Sequence, residues 1–283
     1  MDSGFRIQIY HHHLRVRYDN SNTALTQTKT RNRLAMAFSS WRGIIGIIKP
    51  TMRPGGLEDM IRILPEGIGV IPLFNNITRG DRAEFKEVMR DYDAKVAILA
   101  EQGCDVIHPE GAPPFMVLGN AGEAKKIRGW ERKHKTQVFT SGTNHVSALR
   151  ALKVKRFVGA SYFQGDINKT FGNYFKKEGF DVLGMEGIDI PFDKVQTLSS
   201  QEIYTFIKKL ALTHKRAQGI YMLGTGWKAL DVIPMLEQDL GIPIVFPVTA
   251  RVWEFQKRLS INEPREGYGR LLEEMPPMVK RKS

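Results

Sequence analysis

The chain has 283 residues, of which 42% are hydrophobic, and it carries a formal net charge of +12. This length and hydrophobic content suffice for one large domain or two moderate domains, each with its own core. No run of about 18 consecutive apolar residues occurs, so no membrane span is predicted. The single cysteine, Cys104, excludes an intrachain disulfide and a cysteine-rich zinc site, and it favours a reducing, cytoplasmic setting.

The positive charge is concentrated at the two ends of the chain. Residues 1–53 contain nine Lys/Arg and two Asp/Glu, a net +7, residues 280–283 add +3, and residues 54–279 carry only +2. We therefore predict that residues 1–40 form a basic, polar, disordered extension, and nucleic acid is not an expected partner. The three adjacent histidines at 11–13 have no carboxylate or cysteine at ligand spacing, so no metal site is predicted there.

Short apolar stretches alternate with helical patterns from residue 41 onward. The predicted strands lie at 43–48, 68–72, 105–108, 137–140, 156–160, 180–188, 219–223 and 244–248. The predicted helices lie at 81–102, 120–135, 141–152, 166–178, 199–212, 227–240 and 250–259. Because strands and helices alternate and the strands lack polar alternation, we predict an α/β fold with parallel sheets. We expect one domain to comprise 41–140 plus 246–283 and the other to comprise 141–245.

The first strand end suited to chemistry lies between Asp105 and Pro114. It presents His108 and Glu110 at the mouth of a buried strand, where burial can tune an imidazole or a carboxylate for proton transfer. The ordinary structural explanations are a strand-end histidine bonded to backbone and a solvated glutamate in a turn.

The second strand end is Gly224-Thr225-Gly226, before a helix predicted to begin at Trp227. Unpaired N–H groups at a helix start bind anions, and glycine lets a carboxylate approach the backbone closely. Ser141 to Asn144 opens another predicted helix with hydroxyl and amide donors. An ordinary helix cap would explain either segment alone, but ligands bind past strand ends in open α/β sheets, so we expect the two strand ends to face each other.

Cofactor motifs are missing from the sequence. It contains no Gly-rich loop ending in Lys-Ser or Lys-Thr, and residues 223–227 lack the spacing and acidic partner of a dinucleotide fingerprint. We therefore expect neither a nucleotide cofactor nor a metal. Cys104 precedes its strand instead of ending it, so we expect a buried apolar side chain and not a nucleophile.

An ordered series of motifs runs from about residue 44 to residue 276. They are Ile-Ile-Lys-Pro at 47–50, the strand and turn at 105–111, Ala-Leu-Arg-Ala-Leu at 148–152, Ala-Ser-Tyr-Phe at 160–163, Asp-Ile-Asn at 166–168, Leu-Gly-Thr-Gly at 223–226, Leu-Gly-Ile-Pro-Ile-Val at 240–245 and Gly-Tyr-Gly-Arg-Leu-Leu at 267–272. With these motifs the chain resembles the Asp/Glu racemase superfamily, in particular its arylmalonate decarboxylase and maleate cis-trans isomerase branch. The resemblance implies two pseudo-symmetric, Rossmann-like domains with parallel sheets and the site at their interface. It also implies cofactor-independent chemistry in which a carbanion or enediolate forms next to a carboxylate.

The chain departs from the family pattern at several positions. The resemblance places one cysteine at each of two strand ends in racemases and isomerases, and only the second in the decarboxylase. Here these positions correspond to Gly111 and Thr225, so proton transfer by a thiol is excluded. The hydroxyl donors of the decarboxylase fall near Ala112 and Pro113, which have no hydroxyl. The family's tyrosine donor matches Tyr162, although Phe163 is an equally close placement.

Without the thiols, the proton source stays open among His108, Glu110, Tyr162 and bound water. We expect Glu110, His108 and Thr225 to be the catalytic residues. The expected substrate contacts are Pro50, Thr51, Gly111, Ala112, Asn144, Tyr162, Gly224 and Gly226.

These features favour a cofactor-independent lyase or isomerase that acts on a small carboxylic acid through an enediolate, in the manner of arylmalonate decarboxylase. The alternatives are a maleate-isomerase-like enzyme, a hydrating or hydrolytic enzyme in which Glu110 activates water, and a non-catalytic carboxylate-binding protein. The expected partner is the small carboxylic acid, and homo-oligomer formation is left open.

Overall fold

A computed structural model of the chain describes residues 38–279. Its strands are β1 (Gly43–Lys49), β2 (Ile68–Phe74), β3 (Val106–Pro109), β4 (Gln137–Val138), β5 (Arg156–Ser161), β6 (Asp181–Gly187), β7 (Ile220–Met222) and β8 (Ile244–Val245). Its α-helices are α1 (Gly56–Ile63), α2 (Arg82–Glu87), α3 (Met89–Glu101), α4 (Ala112–Leu118), α5 (Asn120–His134), α6 (Ser141–Ala151), α7 (Ile167–Lys177), α8 (Ser200–Thr213), α9 (Ile233–Leu240), α10 (Pro247–Arg258) and α11 (Arg270–Glu274). Short 3₁₀ helices occupy Phe38–Ser40, at the end of the predicted extension, and Phe192–Thr197. The remaining extension with its three histidines, and residues 280–283, lie outside the described residues.

The eight strands form two sheets with the same internal order. The first sheet is ordered β2-β1-β3-β4 and the second β6-β5-β7-β8, so strands four apart in number occupy equivalent places. All strand pairs are parallel. The strand order reverses between β1 and β3 in the first sheet and between β5 and β7 in the second. Open α/β sheets bind ligands at such switch points. The predicted α/β fold with two repeated parallel sheets is therefore confirmed.

The strands β1, β3, β5 and β7 are almost entirely buried, as their apolar runs without polar alternation predict. Pro72 lies within β2, where it cannot donate a ladder hydrogen bond, and β2 is an edge strand, which tolerates this loss. Cys104 is fully buried in the core, as predicted.

Both sheets belong to one compact unit, and the predicted domain boundaries stay a prediction. No helix within residues 38–279 is long and apolar enough to cross a membrane.

Two helices that border the site were missed in the sequence. No helix was predicted between the strands at 43–48 and 68–72, where the structure has α1. Its first turn holds Glu58 and Asp59 and its last turn holds Arg62, as the helix dipole favours. The predicted turn after β3 is the start of α4, with Pro113 and Pro114 in its first turn. Proline is tolerated there because first-turn N–H groups have no intrahelical acceptor.

The prediction of a helix at 227–240 was wrong in its first half. Residues 223–232 form loop and turn, and α9 begins only at Ile233. Gly224-Thr225-Gly226 therefore does not open a helix, so the predicted reason for anion binding there fails. The last long helix also begins earlier than predicted, at Pro247, because proline is pre-set for the first helical position.

Candidate active site

One cavity lies at the carboxyl ends of β1, β3, β5 and β7. Its empty space is about 650 Å³, counted with its opening to solvent. The lining side chains with polar or charged groups are Lys49, Thr51, Arg53, Glu110, Ser141, His145, Tyr162 and Thr225. An aromatic wall formed by Phe85, Phe163 and Phe192 closes another side. The two strand ends singled out in the sequence do face each other across this cavity.

Four helices begin at the cavity wall. Their first residues, Gly56 of α1, Ala112 of α4, Ser141 of α6 and Pro247 of α10, all line it. Each helix N-terminus carries partial positive charge from the aligned peptide dipoles. The cavity is therefore polarised to attract anions, and α1 provides the helix start near Thr225 that the sequence wrongly assigned to Trp227.

Glu110 joins the two halves of the site. Its Oε1 accepts a hydrogen bond from the Thr225 hydroxyl at 3.0 Å, across 115 positions of sequence. Its Oε2 lies 2.8 Å from Nη1 of Arg251, an ion pair between side chains that are 3% and 1% exposed. This contact lacks the alignment of a hydrogen bond. The backbone of Glu110 is fixed as well, because its N–H bonds to Ile48 and its carbonyl accepts from the Tyr92 hydroxyl.

Lys49 and Arg53 supply the cationic side of the cavity. Lys49 ends β1, is 3% exposed, and donates from Nζ to the carbonyl of Arg53 at 2.5 Å. Burial lowers the pKa of Lys49, and the nearby Glu110 carboxylate partly opposes that shift. The Arg53 guanidinium stacks 4.1 Å from the ring centre of Phe192, so the second half of the chain holds this side chain in place.

Tyr162 projects from the end of β5 against the turn after β7. Its hydroxyl accepts a hydrogen bond from the Gly226 N–H at 3.3 Å. Burial raises the pKa of Tyr162 to about 12, so the phenol keeps its proton at neutral pH. Gly224 permits this approach, since a Cβ there would lie 2.0 Å from the Tyr162 oxygen, and its φ of +93° favours glycine. The sequence left open whether Tyr162 or Phe163 matches the family's tyrosine donor. In the structure Tyr162 presents its hydroxyl at the turn after β7, and Phe163 belongs to the aromatic wall.

Gly111 and His108 are linked through Ser141. The Gly111 N–H donates to the Ser141 hydroxyl at 3.0 Å, and that hydroxyl lies 3.4 Å from His108 Nε2. His108 Nδ1 lies 2.9 Å from the carbonyl of Phe139, which can only accept, so Nδ1 carries the proton. Burial first, and the charge of Arg251 second, lower the pKa of His108 well below its usual range.

The structure brings nine of the eleven sequence-predicted site residues to the cavity wall. These are Pro50, Thr51, Glu110, Gly111, Ala112, Tyr162, Gly224, Thr225 and Gly226. His108 lies behind Ser141 and contacts the cavity only through it. Asn144 also lies behind the wall, where its amide donates to the Ala250 carbonyl and to Glu254.

Four polar residues of the site were missed in the sequence. Lys49 and Arg53 stand beside the predicted Pro50 and Thr51, and a lysine closing an apolar strand was the available signal. Arg251 lies in the middle of α10 and His145 in α6, where the helical pattern alone gives no signal. Within residues 38–279, no group of three or more His, Cys, Asp or Glu side chains is placed to hold a metal ion.

Fold and site together define an α/β protein in which two repeated parallel sheets enclose one cavity suited to small anions. The family model described as arylmalonate decarboxylase matches residues 67–272. The chain therefore belongs to the arylmalonate decarboxylase family.

Individual relatives agree with this assignment. Arylmalonate decarboxylase of Bordetella bronchiseptica is 26% identical over 180 residues, which cover 62% of this chain and 74% of that protein. A liganded arylmalonate decarboxylase mutant has a similar fold, with a TM-score of 0.77, 22% identity, and coverage of 82% of this chain and 99% of that one. The maleate isomerase Iso of Pseudomonas putida S16 is similar with a TM-score of 0.76, 17% identity, and coverage of 82% and 99%. The relatives are thus decarboxylase and isomerase enzymes that share this fold.

Proposed function

We propose that this chain is a cofactor-independent lyase or isomerase that acts at the carbon next to a carboxylate of a small carboxylic acid. The observation that carries the proposal is the composition of the cavity. The N-termini of α1, α6 and α10, two cationic side chains, Lys49 and Arg53, and an aromatic wall line the same space. Such a site can hold one carboxylate by charge while it presents an apolar surface to the rest of the substrate.

A malonate-type acid illustrates how the residues would act. Lys49 and Arg53 would hold the carboxylate that is retained, while the second carboxylate lies against the aromatic wall and loses hydration. Departure of carbon dioxide leaves the electron pair on the α-carbon, where the retained carboxylate delocalises it as an enediolate. Fixed donors around that carboxylate would stabilise the growing charge.

The proton for the α-carbon is assigned to Tyr162. Its hydroxyl accepts from Gly226, so its own proton remains for a substrate atom. A phenol with a pKa of about 12 is a far stronger acid than a carbon next to a carboxylate, so the transfer runs downhill. Thr225 is not assigned this role because its proton is directed to Glu110.

Glu110 and Thr225 support a second candidate, the hydrating or hydrolytic enzyme. Because Thr225 donates to Glu110, the threonine oxygen can accept a proton from bound water while its own proton passes to the Glu110 carboxylate, which leaves the water as a nucleophile. Solvent labelled with oxygen-18 distinguishes the two candidates, since hydration or hydrolysis places the label in the organic product, whereas decarboxylation leaves the organic acid unlabelled and only the released carbon dioxide exchanges with water.

The proposal is tested by turnover of a defined panel in deuterated water. Alkylmalonates, arylmalonates and maleate are incubated with the purified chain, and NMR follows loss of the carboxylate or deuterium at the α-carbon. Tyr162→Phe is expected to lower kcat about 10²–10⁴-fold, the usual contribution of a positioned acid. Tyr204→Phe is the matched control and should retain activity, because it changes a tyrosine of α8 whose hydroxyl bonds to Asp239 on α9. Turnover that survives Tyr162→Phe, or ligand-induced thermal stabilisation without turnover of any compound, would refute the assignment.

A further inference from the structure

His145 is a buried cavity residue to which the proposed reaction assigns no role. It lies in the second turn of α6, is 1% exposed, and contributes to the cavity wall beside Ser141. Its Nδ1 lies 2.9 Å from the hydroxyl of Tyr221 in β7. Its Nε2 is fully buried and has no hydrogen-bond partner among the described residues. A buried polar atom of this kind is costly unless a ligand or ordered water completes it.

The surroundings of Tyr221 decide which nitrogen of His145 carries the proton. Tyr221 is fully buried, and the rings of Phe175 and Phe157 pack against it with centroid distances of 4.7 and 6.0 Å. Its hydroxyl proton needs an acceptor, and Nδ1 of His145 is the acceptor within reach in the part of the chain that the structure covers. The phenol therefore donates to Nδ1, which places the imidazole proton on Nε2.

The imidazole remains neutral at physiological pH. Burial is the main reason and the charge of Arg251 on α10 the second, and together they lower the pKa of His145 to about 3. His108 on β3 is a neighbouring imidazole that is kept neutral in the same way, and Tyr221 faces the ring from β7. Nε2–H is thus a fixed neutral donor, since Nδ1 gains no proton between pH 5 and 8.

We propose that the Nε2–H of His145 donates a hydrogen bond to a carboxylate oxygen of the substrate and stabilises the enediolate that forms from it. The inference rests on the proposed function and adds a residue to the same site. It accounts for the remodelled first side of the cavity, where Ala112 and Pro113 offer no hydroxyl. A donor that is already oriented by Tyr221 costs no reorganisation when charge develops on the oxygen.

The first test does not depend on turnover. Protein labelled with ¹⁵N in its histidines is examined by NMR from pH 5 to 8, with and without phenylacetate as a carboxylate probe. The expected result is one histidine with unprotonated Nδ1 and protonated Nε2 throughout this range, assigned to His145 by its loss in His145→Gln. Phenylacetate should shift the Nε2 resonance of that histidine.

The second test is kinetic. His145→Phe should lower kcat about 10²–10³-fold with little change in KM, because the donor acts mainly on charge that develops in the transition state. His145→Gln, whose amide can place an N–H near the position of Nε2, should recover at least about tenfold of this loss. His214→Gln changes a histidine that bonds to Glu186 and serves as the control. A role in packing alone predicts no recovery by Gln over Phe.

The outcomes separate this inference from the proposed function. Binding of phenylacetate without a change at His145, or a proton on Nδ1 instead of Nε2, overturns the inference and leaves the proposed reaction standing. Failure of the whole substrate panel removes the proposed reaction, while a shift at His145 on phenylacetate binding would still support the donor.

Discussion

Replacing Glu110 by Gln should destabilise the protein strongly, because it removes one charge from a buried pair. Oε1 faces the Thr225 hydroxyl and Oε2 faces the Arg251 guanidinium, and both charged side chains are almost completely buried. The best placement of the new amide turns its NH₂ toward Thr225 and its oxygen toward Arg251, whose charge then stays uncompensated. Breaking a buried pair in this way costs about 3–5 kcal/mol. With an unfolding entropy of about 2.1 cal/mol/K per residue, that corresponds to a fall in Tm of roughly 5–9 °C.

The free energy of unfolding is measured by urea denaturation with tryptophan fluorescence. Asp181→Asn is the matched control, because it breaks the pair of Arg156 and Asp181, whose side chains are 37% and 57% exposed. Exposed pairs contribute about 0–1 kcal/mol. The double variant Glu110→Gln/Arg251→Met should recover at least about 1 kcal/mol relative to additive losses, since both charges are then gone. A loss in Glu110→Gln no larger than that in Asp181→Asn, or fully additive losses, would show that the pair carries no such energy.

Three further predictions concern neighbouring groups. Gly224→Ala should cost more in the free energy of unfolding than Gly241→Ala, and it should lower activity. Both glycines have positive φ, but only at Gly224 would the Cβ meet Tyr162; equal losses would contradict the close approach. Stability should fall as pH drops from 7 toward 4, because below about 6.5 the unfolded chain protonates His108 and His145 while the folded chain keeps both neutral. In urea titrations at several pH values, His145→Gln should reduce that slope by about 1.4 kcal/mol per pH unit, and an unchanged slope would be evidence of a charged imidazole. Lys49→Met should weaken phenylacetate binding at least about tenfold by calorimetry, whereas Lys153→Met at an exposed position should not, and equal affinities would remove Lys49 from the carboxylate site.

The fold could be predicted because its signals are local. Buried parallel strands appear as continuous apolar runs, and the alternating helices have amphipathic spacing. Asp81 and Ser199 precede two of these helices, and each side chain accepts a hydrogen bond from the backbone N–H three residues later. The two missed helices that border the site begin at Gly56 and at Ala112-Pro113-Pro114, and glycine and proline indicate loops when only neighbouring residues are considered. α1 and α4 form there because first-turn residues need no intrahelical N–H partner.

The site could be predicted only as far as chain proximity allows. His108 and Glu110 are two positions apart, but in β3 and the turn beyond it they point to different surroundings, one behind Ser141 and one toward Arg251. Arg251, Tyr221 and His145 come from three separate elements, and their contacts span from 76 to 141 positions of sequence. Neither periodicity nor motif spacing carries information on pairs so far apart.

The direction of one hydrogen bond decides how the chemistry is distributed in this cavity. If Thr225 simply replaced a thiol acid, its proton would have to face the substrate. Instead it faces Glu110, which is itself held by Arg251, so reversing that bond would leave a buried carboxylate oxygen without its donor. We therefore propose as the acid a group whose proton is uncommitted, and Tyr162 satisfies this condition because its hydroxyl accepts from Gly226. In the same proposal the enediolate oxygen accepts from the Nε2–H of His145, a buried group with no other hydrogen-bond partner among the described residues. The reaction we propose therefore uses Tyr162 as the acid and His145 as the oxyanion donor, and the contact of Glu110 with Thr225 joins the two halves of the site.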